Sequence, residues 1–110
     1  TVIPITHSLK LIFMTLENII KEKLALVKQG AIILDVRSKV EYASGHIEGS
    51  INIPVDILKN SLSQLKDKNK PIITCCASGM RSARAKNILK THGYVDVHNG
   101  DGWRSLQSKI

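Results

Sequence analysis

The chain has 110 residues, 43% of them hydrophobic and 23% charged, enough for one compact domain with its own core and too few for two. A formal net charge of +7 attracts anions, but scattered lysines with only 4% aromatic residues build no base-stacking platform, so a small anionic substrate is expected and nucleic acid is not. No apolar run approaches the roughly 20 residues of a membrane span, and Lys59, Lys66, Lys68 and Lys70 read as a solvated face.

Residues 1–14 read as an N-terminal extension and 15–110 as the domain, with Met14 a candidate start. The apolar run Leu11-Ile12-Phe13-Met14 is too short for the hydrophobic segment of a secretory signal. From Thr15 to Gln29, Leu16, Ile19, Ile20, Leu24 and Val27 recur at three- and four-residue steps, which predicts a packing helix that stops at Gly30. Ala31 to Val36 is a nearly continuous aliphatic run, interrupted by Asp35, as in a strand buried on both faces of a parallel sheet. Ser38 with Glu41 three residues on forms a capping box for a short helix ending at Gly45.

Ser50 to Pro54 predicts a brief strand, and Leu58, Leu62 and Leu65 predict one helix over Val55–Leu65. Pro71 to Cys75 is a second aliphatic, β-branched strand; a helix follows from Met80 to about His92, capped by Gly93. Tyr94 to His98 alternates as a last strand, after which Asn99-Gly100-Asp101-Gly102 reads as a turn into a short helix with Trp103, Leu106 and Ile110. Strands alternating with helices imply an α/β fold with a mostly parallel central sheet and helices on both faces. Ligands of such sheets lie beyond the carboxyl ends of the strands. That rim collects Asp35, Arg37 and the loop Cys76-Ala77-Ser78-Gly79-Met80-Arg81.

A cysteine at a strand end, followed by a glycine-containing loop and a helix, has backbone N–H groups aimed near its sulfur, so the thiolate is stabilised and the nucleophile is present at neutral pH. Gly79 permits the turn, Ser78 offers a hydroxyl, and the planar fork of Arg81 suits an anion. Cys75 continues the strand and reads as buried and inert. A disulfide between such neighbours is strained, and unpaired thiols point to a reducing compartment, hence the cytoplasm, or the periplasm if an upstream signal has been removed. The four histidines show no ligand spacing relative to the cysteines, so no metal site is expected.

Two separated motifs then resemble the rhodanese family over about residues 16–107. One is Asp35-Val36-Arg37 with Glu41-Tyr42 and the segment from Gly45-His46-Ile47 to Asn52-Ile53-Pro54; the other is the Cys76 loop closed by Arg81-Ser82. The resemblance implies a sulfurtransferase without metal or organic cofactor. In it Cys76 would take a sulfane sulfur from a donor such as thiosulfate and pass it as a persulfide to cyanide or a thiol, carried by a small molecule or a protein. Arg81 would orient the loop or bind the donor, and Asp35 and Arg37 would fix the rim. Trp103 resembles an aromatic that follows a glycine pair in relatives, with packing as its role; here Asp101 intervenes between the glycines.

Two rivals exist. Counted from Cys75 the chain reads Cys-x5-Arg-Ser, the pattern of cysteine phosphatases and arsenate reductases. Their loops commonly carry glycine three residues after the nucleophile. That position is Ser78 counted from Cys75 and Gly79 counted from Cys76, and the shorter loop is too tight to wrap a phosphate-sized tetrahedral anion but suits a single sulfur. A non-catalytic binding module with this fold usually lacks the cysteine.

Overall fold

A computed structural model describes the backbone of residues 5–110; the first four residues of the extension lie outside the described residues. Four short strands, β1 (Ile32–Asp35), β2 (Ile51–Asn52), β3 (Ile72–Cys76) and β4 (Val97–Gly102), form one sheet in the order β2-β1-β3-β4. All three pairings are parallel. Every residue of β3 is buried, which is why its sequence is continuously aliphatic rather than alternating.

The helices divide between the two faces. On one, α3 (Val55–Leu58) and α4 (Met80–Thr91) pack Val55, Leu58, Ala85 and Leu89 against Leu34, Val36, Ile72 and Cys76. On the other, α1 (Ile5–Lys28) and α5 (Trp103–Lys109) bring Leu26, Val27 and Leu106 onto Ile33, Ile73 and Cys75. Burial of a side chain such as Leu34, Ile72 or Leu89, each at 0% exposure, contributes about 1.5–3 kcal/mol. The remaining helix, α2 (Lys39–Ser44), carries the expected capping box: the Glu41 amide donates to Ser38 Oγ at 3.2 Å and the Ser38 amide to Glu41 Oε1 at 3.2 Å.

Three elements differ from the sequence reading. The first helix begins at Ile5, not Thr15; among its residues whose burial is described, Leu16, Ile19 and Ile20 are exposed, while Leu26 and Val27 join the core. A helix of 24 residues is about 36 Å long, far longer than strands of two to six residues, so its first half overhangs the sheet. The helix expected over Val55–Leu65 ends at Leu58, and a 3-10 turn occupies Leu62–Gln64. There Asn60 N donates to Ile57 O and Ser61 Oγ bonds Ile57 O at 2.8 Å, so a turn-forming pair competes with the helical ladder.

The third difference concerns Asn99 to Gly102, which extends β4 instead of turning. These glycines are required by proximity: a Cβ on Gly100 would lie 2.8 Å from Ile73 Cγ2 and from Thr74 O, and one on Gly102 would lie 2.8 Å from Ala77 O. The ladder shifts register between Thr74 and Cys76, and Asp101 takes φ 60° at the irregularity. That conformation is tolerated by Asp better than by most side chains. The result draws the end of β4 against the loop that follows Cys76.

Candidate active site

Successive side chains of a strand point to opposite faces, and this decides the chemistry of the two cysteines. Cys75 faces the α1/α5 layer with Ile73 and Leu106. Cys76 faces the α4 layer, at the last position of β3, directly before the loop. Cys75 is paired in register with Asp35. Burial, reinforced by the Asp35 carboxylate, pushes its thiol up to about 12, so it is protonated at neutral pH.

Around Cys76 the loop turns inward. The Gly79 amide donates to Cys76 Sγ at 3.0 Å and the Ser82 amide at 3.3 Å, and the Ser82 hydroxyl lies 3.4 Å away. Gly79 achieves this with φ 107°, a conformation that L side chains strain to adopt. Burial is the largest single influence on the thiol and raises its pKa. The Ser82 hydroxyl and the amides of Ser82, Gly79 and Ser78 together outweigh burial, leaving the thiol below its ordinary value. A thiolate is thus favoured at Cys76 and opposed at Cys75.

Ser82 rather than Ser78 supplies the hydroxyl beside the sulfur; Ser78 contributes its amide, and its residue is exposed. Ser82 Oγ is itself anchored, donating to Gly79 O at 3.0 Å or to Asn99 Oδ1 at 2.7 Å. The same Asn99 oxygen accepts the Asp101 amide within β4 at 2.9 Å, and the Ser82–Asn99 bond ties β4 to the start of α4. Ala77 and Met80 are exposed on the loop's outer side.

Arg81 reaches back across the rim to α2. Its Nη1 and Nη2 donate to Glu41 Oε1 and Oε2 at 2.7 and 2.9 Å, a bidentate pair with both side chains a little over one third exposed. The Arg81 guanidinium, helped by Ser38, holds the Glu41 carboxyl down to about 2. In the sequence, Glu41 reads as a capping residue and as part of the first motif, and neither role names Arg81 as its partner. Its partner lies 40 residues away, and no local pattern connects them.

Asp35 and Arg37 form a second, buried pair at 0% and 4% exposure. Arg37 Nη2 donates to Asp35 Oδ2 at 2.6 Å and to Gly45 O at 2.7 Å, Nε to Asp35 Oδ1 at 3.0 Å, and Nη1 to Glu41 O at 3.3 Å. The guanidinium lies 4.8 Å from the Trp103 ring. It therefore clamps β1, both ends of α2 and α5 together, with its donors directed into protein. Beside the loop, a cavity of about 390 Å³ is lined by Arg37, Ser44, Ala77, Trp103, Arg104 and Ser105 among others.

The phosphatase register has its sulfur on the wrong face: Cys75 lies across the sheet from the loop that Arg81 closes. Among the described residues no group of three or more His, Cys, Asp or Glu side chains could hold a metal ion. No helix among them is long and apolar enough to cross a membrane.

Residues 18–105 match the rhodanese-like domain. The chain belongs to that family. This rhodanese-like chain is 35% identical over 74 residues to the thiosulfate sulfurtransferase PspE of Escherichia coli K12, covering 66% of this chain and 71% of PspE. It is 30% identical over 82 residues to a tRNA uridine(34) hydroxylase of Buchnera aphidicola, covering 70% of this chain but 26% of that enzyme. Among solved structures, the human single-domain sulfurtransferase TSTD1 superposes with a TM-score of 0.71 at 28% identity, covering 82% of this chain and 93% of that one. The family thus includes relatives of differing activity, and in the larger ones the shared domain is a minor part.

Proposed function

We propose that the protein is a sulfurtransferase that carries sulfane sulfur as a persulfide on Cys76. The observation that carries this reading is the cradle of N–H donors from Gly79 and Ser82, at 3.0 and 3.3 Å from a thiol whose pKa is lowered. Preorganised donors of this kind stabilise an anion at the moment it forms.

The Cys76 thiolate attacks the outer sulfur of thiosulfate, the S–S bond of the donor breaks, and sulfite leaves with the bonding electron pair. The loop amides that now hold Sγ serve the terminal sulfur of the resulting persulfide anion. An acceptor thiolate or cyanide then attacks that terminal sulfur and departs as a persulfide or thiocyanate, and the Cys76 thiolate is restored. Arg81 positions the loop through Glu41, and the buried Asp35–Arg37 pair fixes the rim.

Intact-protein mass spectrometry tests this directly. Incubation with thiosulfate is expected to add one sulfur to the chain, and cyanide to remove it. Cys76→Ser should show no gain. A gain that persists in Cys76→Ser and vanishes in Cys75→Ala would sink the assignment.

A further inference from the structure

We propose that the cavity beside the loop seats an organic thiol acceptor bearing an anionic group, and that Arg104 binds that group. The inference rests on the persulfide reading and specifies the acceptor.

Charge within the site is unevenly available. Arg37 is directed into Asp35 and backbone carbonyls, and Arg81 is held bidentately by Glu41. Arg104 differs: it is exposed, its guanidinium lies 5.3 Å from the Trp103 ring, and among the described residues no carboxylate lies within ion-pair distance of it. A guanidinium steadied against an aromatic face retains its planar fork for a carboxylate or sulfonate. Ser105 lines the same cavity with a residue able to offer a hydroxyl, whereas the Ser44 hydroxyl donates to Glu41 O at 2.7 Å, and the Trp103 ring supplies apolar surface for a short hydrocarbon chain.

The geometry also bears on length. The cavity meets the loop at Ala77, one residue beyond Cys76, and the sulfur itself is not in its lining. A ligand that occupies this space and touches the sulfur therefore extends past Ala77, which suits an organic thiol better than cyanide. A volume of about 390 Å³ falls in the range of small-molecule sites. An extended thiol with its sulfur at one end and its charge at the other satisfies both ends. In the transfer, its thiolate forms a bond to the terminal sulfur of the Cys76 persulfide, the Cys76 S–S bond breaks, and Cys76 leaves as the thiolate.

The test uses the full chain, loaded with thiosulfate and checked by mass for the added sulfur. Unloading is then timed with 2-mercaptoethanesulfonate and with 2-mercaptoethanol, which share a skeleton and differ in charge. The wild type is expected to show the lower KM for the sulfonate. Arg104→Gln should raise the ratio of the two KM values about fivefold, within what a charged hydrogen bond provides at an exposed site, and Arg104→Lys should recover part of the preference. Equal KM shifts for both thiols, or none for either, would overturn the inference while leaving the persulfide intact. Absence of any mass gain in the wild type would overturn both.

Discussion

Cys75 and Cys76 share a peptide bond, a strand and nearly complete burial, with exposures of 0% and 1%, yet their thiols are pushed in opposite directions. On the Cys75 side the neighbours are aliphatic side chains and the Asp35 carboxylate. On the Cys76 side they are the amides of Gly79 and Ser82 and the Ser82 hydroxyl, supplied by the loop and the start of α4. Burial alone therefore does not decide whether a cysteine is reactive; the polarity of what covers it does. Because the strand period is two, the sheet separates these environments by its own thickness while the sequence separates them by one residue.

The sharpest way to break this comparison is to remove each sulfur in turn. Cys76→Ser is expected to reduce thiosulfate:cyanide transferase activity to background, whereas Cys75→Ala should retain most of it and lose about 1–2 kcal/mol of stability in urea unfolding from the small void. The next largest effect falls on the clamp. Arg37→Ala leaves Asp35 charged and unpartnered in the core and should cost about 3–5 kcal/mol, read as a lower urea midpoint.

Close behind is the contact between β4 and its neighbours. Gly100→Ala forces a methyl against Ile73 and the Thr74 carbonyl at 2.8 Å, and should cost about 1–3 kcal/mol. Activity should fall as well, since β4 carries Asn99, the partner of Ser82.

The smallest effect on stability belongs to the exposed pair. Glu41 is held at about 2 in the fold against roughly 4.3 unfolded. Its folded pKa is depressed, so its contribution is present above the unfolded value and is lost as pH falls from about 4.3 towards 2. Glu41→Gln should accordingly lower the urea midpoint slightly at pH 6, and the gap from wild type should narrow as pH falls below about 4.3 and close only at about pH 2 or below. Sulfur transfer at neutral pH is expected to drop about tenfold as Arg81 loses its anchor. Iodoacetamide provides the final check: Cys76 should be alkylated at a rate that rises with pH around a midpoint below that of a free thiol, with Cys75 unlabelled until the chain unfolds.

Features that depend on neighbours in sequence were legible there. The alternation of strand and helix, the Ser38–Glu41 capping box, the end of β3 at the cysteines and the glycine turn at Gly79 all follow from periodicity or short spacing. What depends on distant partners was not. Glu41 meets Arg81 only after the sheet assembles, and Ser82 finds Asn99 only when β4 is placed. Asn99-Gly100-Asp101-Gly102 has turn composition, but Ile73, Thr74 and Ala77 demand the absence of side chains there. The overhang of α1 likewise reflects the shortness of the strands, which apolar spacing along the helix does not reveal.

A parallel sheet in the order β2-β1-β3-β4 has a kinetic consequence. Strand β3 must find β1, some 40 residues upstream, and β4, some 25 downstream, so every pairing closes a long loop and the topology favours slow folding over local zipping. The donors that hold Cys76 Sγ belong to the segment between β3 and β4, and Ser82 is anchored by Asn99 of β4. The full donor set at Cys76 therefore requires β3 and β4 to be paired, so reactivity of its thiolate reports on that pairing.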